Sequence, residues 1–235
     1  EGAYIVEMTP FRVPHTVSIT FDVAVLLNLE NEAAREAAMP IFHRQTDPRA
    51  AVISIDDKPS QAIFNNLSKA GEQRVYPIST KQSVQGGVFV EDGTLYDSFD
   101  GGDPVSVMDL SSISQYAGPH AQANVAAAFA TVRAIGVQPH AAMAAINSFP
   151  GLVDHREELE TIDGVSYIND AASSSLDCAA SSFCGYQNIH WIAGGDAPVD
   201  TAGLSALKNV SQRIKAGYLF GESGRQIADE LDSDV

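Results

Sequence analysis

The chain has 235 residues, 45% of them hydrophobic, which is enough for one large domain or two modest ones. A formal net charge of −16, with only 14 Lys and Arg, argues against nucleic acid or an anionic membrane as partner, since both need a basic face. No apolar run reaches the length of a membrane span, no signal peptide precedes the first apolar segment, and Cys178 and Cys184 have neither metal spacing nor a disulfide framework, which points to reduced thiols in the cytoplasm.

Residues 3–6 (AYIV) read as a buried strand with Glu7 at its carboxyl end, where an acid is placed to hold Mg²⁺ bound to phosphates; the plain alternative is a surface Glu. The first residue is not Met and the chain opens directly on this strand, which suggests a fragment or a processed form. Residues 23–27 form a second buried strand. Residues 50–55 (AAVISI) are a third, ending at Asp56 and Asp57. An amphipathic helix is expected over 59–71, with Ile63, Leu67 and Ala70 on one face, followed by a short strand at 74–78. Asp92-Gly93 between 87–90 and 94–96 is a hairpin signal. A polar link at 97–104 leads to a weak strand running from Met108 toward Tyr116.

An Ala-rich helix is expected over 121–135, stopped by Gly136, with Asn124 in its first turn. There Asn124 is either a capping residue or an amide placed to read an adenine edge. A further helix at 139–147 delivers the chain to Phe149, the expected domain junction. Beyond it, strands at 165–168, 189–193 and 217–220 alternate with helices near 175–183, 203–210 and 224–231, the pattern of βαβ units on a parallel sheet. The fold class is α/β.

The stretch 149–175 (FPGLVDHREELETIDGVSYINDAASSS) concentrates the polar chemistry. Arg156 precedes a strand, Asp170 ends it, and three serines open a helix. Ligands in open α/β sheets collect at the carboxyl ends of strands, and helix N-termini favour anions, so this arrangement suits a phosphate- and ribose-bearing ligand. The alternative is a capped helix start, with Asp170 or Ser173 as N-cap, and a surface Arg.

The pattern F-x-G-L, H-R-x-E, G-V-x-Y-I-N-D and a serine-rich helix start resembles the Mur ligase family. Three further segments resemble it in the same order: Glu7-Met8-Thr9-Pro10-Phe11, His120-Ala121-Gln122-Ala123-Asn124, and Trp191 to Asp196 (WIAGGD). The pattern is most similar to the members that add D-glutamate to UDP-N-acetylmuramoyl-L-alanine in peptidoglycan synthesis. The resemblance implies the later part of a central ATP-binding domain over 1–148 and the start of a Rossmann-like C-terminal domain over 149–235. It implies an ATP-dependent ligase that works through an acyl phosphate, with ATP and Mg²⁺ as cofactors. Glu7 would hold Mg²⁺; His120, Asn124, His155, Arg156 and Asp170 would hold the nucleotide; Arg156 and Asp170 would be catalytic; Ser174 would touch the amino-acid substrate.

Several positions depart from the family pattern. Residues 30–40 hold neither the expected His nor the Lys that becomes carbamylated, Arg35 cannot replace that Lys, and His43 lies beyond Pro40. Ala121 replaces the first Asn of the helix motif, Ala172 replaces the Lys after N-D, and Ala197-Pro198 follow the G-G-D without its Lys. No G-K-[ST] occurs anywhere. These losses imply a fragment or a diverged copy that does not by itself hydrolyse ATP or form amide bonds. Three other readings stay open: another Mur ligase or a folylpolyglutamate-synthase-like enzyme; a non-catalytic nucleotide-binding or assembly module; and, less well, a dinucleotide-binding domain, for which no G-x-G-x-x-G is present.

Overall fold

A computed structural model of the chain describes residues 2–9, 12–29, 31–196, 199 and 201–231. It divides into two compact units, Glu1–Phe149 and Pro150–Val235. Pro10, Phe11, Glu30, Ala197 and Pro198, which belong to the segments quoted above, lie outside the described residues.

In the first unit, β1 (Val23–Leu26), β2 (Ala50–Ser54), β3 (Arg74–Ser79), β4 (Val88–Glu91), β5 (Thr94–Asp97) and β6 (Val105–Asp109) form one sheet in that order. The pairs from β1 to β4 are parallel, and those from β4 to β6 are antiparallel. The helices are α1 (Glu32–Ala38), α2 (Lys58–Ala70), α3 (Pro119–Ala134) and α4 (Pro139–Ser148). β2 is buried at all five positions, as a strand covered on both faces must be. Its two-residue period sends Val52 into one core cluster and Ala51 and Ile53 into the other.

α2 supplies Ile63 to the second cluster, where Phe42 also lies. Asp57 caps this helix by accepting the Ser60 N–H at 2.8 Å, and Gly71 ends it in the left-handed region at φ 66°. Leu67 is half-buried and Ala70 is exposed, so the apolar stripe is narrower than its spacing suggests. α3 covers the other cluster. Its small residues Ala126, Ala127 and Ala130 are buried and let the helix lie close to the sheet, while Phe129 fills the space between. The β4–β5 hairpin turns at Asp92 and Gly93, with φ of 49° and 77°, the two positive values that the tight turn requires.

Three expectations fail in this unit. Residues 3–6 are not a strand: Tyr4 and Ile5 are 96% and 99% exposed. β1 is the edge strand, and no described strand pairs beyond it, so the apolar run has neither ladder nor cover. The strand expected toward Tyr116 stops at Asp109, whose carboxylate accepts the Ser111 N–H at 2.9 Å and turns the chain into the short 3₁₀ segment Ser114–Tyr116. α3 starts at Pro119, whose fixed φ and missing N–H suit the first helical position. Asn124 therefore lies in the second turn, is exposed, and is no cap.

In the second unit, β7 (Glu157–Ile162) and β8 (Val165–Asn169) form an antiparallel hairpin through Asp163 and Gly164, both at positive φ. α5 (Leu176–Ser182), β9 (Ile189–Gly194), α6 (Thr201–Lys208), β10 (Ile214–Phe220) and α7 (Gly221–Leu231) follow. β9 and β10 are parallel neighbours, so the βαβ expectation holds for them. It does not hold for the strand at 165–168, which pairs with β7 instead. The core gathers Phe183, Trp191, Leu207, Ile214 and Ile227. Gly194 ends β9 where any side chain would strike the Phe220 carbonyl oxygen, which explains a glycine there. Among the described residues, no helix is long and apolar enough to cross a membrane.

Candidate functional site

The segment from Leu152 to Ser173 folds back on itself. Asp154 and Arg156 both take left-handed backbone, with φ of 62° and 51°, a conformation that costs a non-glycine residue about 1–2 kcal/mol. Side chains hold it in place. The Arg156 backbone N–H donates to Asp170 Oδ1 at 3.0 Å, and Ser173 Oγ donates to Asp170 Oδ2 at 2.5 Å. Asn169 Nδ2 donates to Asp154 Oδ1 at 2.7 Å, and the Ala172 N–H donates to the Asp154 carbonyl at 2.9 Å. The side chains of Asn169 and Asp170 thus stitch the turn before β7 to the strand end after β8.

The Arg156 guanidinium points along a defined line. Nη2 donates to the Cys184 carbonyl at 3.0 Å, and Cζ lies 5.6 Å from the Tyr186 ring centroid. This is a cation–π distance. Arg156 is half-buried, whereas His155 beside it is exposed. The helix cap is Ser175, whose Oγ accepts the Cys178 N–H at 3.3 Å, rather than Asp170 or Ser173. Asp170 lies five residues before that cap, and its two oxygens serve the turn. Ser174 is exposed, and Cys178 and Cys184 are free thiols.

In the first unit the carboxyl ends of β2 and β3 are tied together by Asp56. Its Oδ2 accepts the Thr80 N–H at 2.8 Å and the Thr80 hydroxyl at 2.9 Å, Ser79 Oγ donates to Oδ1, and Lys81 Nζ donates to its carbonyl at 2.8 Å. His120 and Asn124 are exposed on α3. Glu7 is exposed on a segment that is neither strand nor helix. Among the described residues no group of three His, Cys, Asp or Glu is placed to hold a metal. A single carboxylate such as Glu7 suits a metal held mainly by phosphate oxygens and water rather than by a cage of side chains. On α1, Arg35 pairs with Glu32, and His43 stands exposed beyond the helix.

Sequence reasoning missed Tyr186, the Cys184 carbonyl and Arg213, whose Nη1 donates to the Tyr186 carbonyl at 3.0 Å. The only signal was Gly185, at φ 92°, which reverses the chain after α5.

No protein-family model matches the chain. The chain is 35% identical to UDP-N-acetylmuramoylalanine–D-glutamate ligase of Rhodospirillum rubrum, over 100% of its own length and 50% of that protein. It is 32% identical to the protein of the same name in Paramagnetospirillum magneticum, over 100% of its own length and 52% of that protein. The chain thus spans about half the length of the curated relatives it matches. Among solved structures, UDP-N-acetylmuramoyl-L-alanyl-D-glutamate–2,6-diaminopimelate ligase shares the fold with a TM-score of 0.59 at 14% identity, over 97% of this chain and 51% of that one. UDP-N-acetylmuramoylalanyl-D-glutamyl-2,6-diaminopimelate–D-alanyl-D-alanyl ligase from Acinetobacter baumannii shares it with a TM-score of 0.55 at 16% identity, over 80% of this chain and 42% of that one. Alike in sequence from end to end and alike in fold, the chain belongs to the Mur ligase family.

Proposed function

We propose that the chain serves an ATP-dependent ligase that joins D-glutamate to UDP-N-acetylmuramoyl-L-alanine in the cytoplasm, in peptidoglycan synthesis. In this reading residues 1–148 belong to the central ATP-binding domain and 149–235 to the C-terminal domain. The carboxylate substrate is activated as an acyl phosphate, and the amine of D-glutamate attacks it. ATP, delivered with Mg²⁺, supplies the phosphoryl group when bound. Glu7 is the residue the reading gives to the metal, His120, Asn124 and His155 are those it gives to the nucleotide, and Ser174 is the one it gives to the amino acid.

The observation that carries the reading is the Arg156–Asp170 turn. The two residues that the family motif gives to the nucleotide are joined by one hydrogen bond of 3.0 Å, which fixes where the Arg156 side chain leaves the backbone. A guanidinium held in advance offsets charge on phosphoryl oxygens without reorganising during reaction. Asp170 keeps that geometry and neutralises part of the local positive charge. The second reading, a non-catalytic nucleotide-binding module, draws on Ala172 in place of the motif Lys and on the absence of any G-K-[ST].

Both readings require nucleotide binding, and substrate-dependent turnover by the chain would rule out the second. ADP with Mg²⁺, at 100-fold excess over its Kd, is expected to raise the melting temperature by about 5–10 °C. A melting temperature unmoved by millimolar ADP contradicts both. With UDP-N-acetylmuramoyl-L-alanine and D-glutamate present, these 235 residues by themselves are expected to release no ADP, because the motif cations are missing. Sustained ADP release dependent on both substrates would instead show that the chain needs none of them.

A further inference from the structure

We propose that Tyr186 is a positioning residue, whose ring, with the Cys184 carbonyl, sets the direction of the Arg156 guanidinium. The inference rests on the reading of Arg156 as a nucleotide-binding residue and adds what holds it. Arg156 leaves a left-handed backbone position at φ 51°. A long flexible side chain on such a turn samples many rotamers, and freezing them at binding costs affinity. Contacts with Cys184 and Tyr186 restrict that freedom beforehand. The Cys184 carbonyl takes Nη2–H at 3.0 Å, and the Tyr186 ring faces Cζ at 5.6 Å.

The backbone that carries the ring is held on both sides. The Tyr186 N–H donates to the Phe183 carbonyl at 3.2 Å, closing the turn after α5. Its carbonyl accepts Arg213 Nη1 at 3.0 Å, from the 3₁₀ segment Ser211–Arg213 that leads into β10. The loop between α5 and β9 is thereby anchored to the next strand, and the aromatic face is presented to Arg156 by the scaffold rather than by a mobile loop. The ring contributes through its face, so the hydroxyl is dispensable and Phe is an adequate replacement.

The test uses the full 235-residue chain with Tyr186→Leu, Tyr186→Phe and Arg213→Ala, read by the Arg156 Nε–H resonance in NMR and by calorimetric titration with ADP. Trp191 fluorescence and far-UV circular dichroism confirm that each variant is folded. The wild type is expected to show Arg156 Nε–H shifted by the ring current. Tyr186→Leu should abolish that shift and weaken ADP about five-fold. Tyr186→Phe should keep both, and Arg213→Ala should reduce both partly by releasing the ring. An Arg156 resonance that Tyr186→Leu leaves in place would overturn the role of Tyr186. A wild-type chain that takes up no ADP, with the ring-current shift intact, would instead overturn the nucleotide reading of Arg156 on which the role depends.

Discussion

Phe129→Ala is expected to destabilise the first unit by about 3–5 kcal/mol, a large part of the ~5–15 kcal/mol that holds a domain folded. Phe129 is fully buried on α3, in the cluster that also holds Val52, Ile78, Val88 and Leu95. Its neighbours Ala126, Ala127 and Ala130 are too small to close the space that its ring would vacate, so the cavity term adds to the lost burial. Urea denaturation followed by far-UV circular dichroism measures the change. Trp191, the chain's only tryptophan, lies in the core of the second unit and gives a separate fluorescence signal for it. A loss under about 1 kcal/mol would contradict the packing described, since even Ile→Val changes in a well-filled core reach that size.

The second large effect is expected at Asp170. Asp170→Ala removes the acceptor of the Arg156 N–H and of the Ser173 hydroxyl together. Hydrogen bonds to a charged group contribute about 1.5–3 kcal/mol each, and without them the left-handed backbone of Arg156 loses the contact that offsets its strain. The turn should open, seen as faster hydrogen exchange at the Arg156 amide by at least ~10-fold. Asp170→Asn keeps an oxygen at Oδ1 and should recover most of the protection. Were the two substitutions to behave alike, charge rather than the Arg156 N–H bond would be the role of Asp170.

The parallel core of the first unit was legible because fully buried strands announce themselves. The run AAVISI carries no charge and supplied β2, and Asp92-Gly93 marked the β4–β5 hairpin by turn chemistry alone. The same dipeptide at Asp163-Gly164 marks a second hairpin, yet β7 escaped notice because EELETI has no apolar alternation and is mostly exposed. Its strand is held by the turn and by β8, not by a core. Conversely, AYIV looked like a strand on composition but lies exposed, with no described strand beside it. Apolar sequence supplies the tendency to be buried; a neighbouring strand must supply the ladder.

At the site, Arg156 and Asp170 were legible as a spaced motif, and the structure brings them into direct contact. The kind of contact was not legible. Asp170 grips the Arg156 backbone, not its guanidinium, because that turn needs an acceptor for a left-handed residue. Tyr186 and the Cys184 carbonyl were hidden because their place depends on a reversal marked only by Gly185 and on the Arg213 anchor, which has no sequence pattern. Asn124 was misplaced by one turn because the helix start was read at Ala121 instead of Pro119.

If Arg156 receives the phosphates of the nucleotide, its removal must show in affinity before it shows anywhere else. Calorimetric titration of ADP with Mg²⁺ into the chain and into Arg156→Ala measures this. Saturable binding to the wild type is expected, with an affinity lower by about 10- to 100-fold in Arg156→Ala, the loss that accompanies charge-assisted hydrogen bonds. Equal affinity in the two proteins, or no heat from the wild type at millimolar ADP, would contradict that role for Arg156.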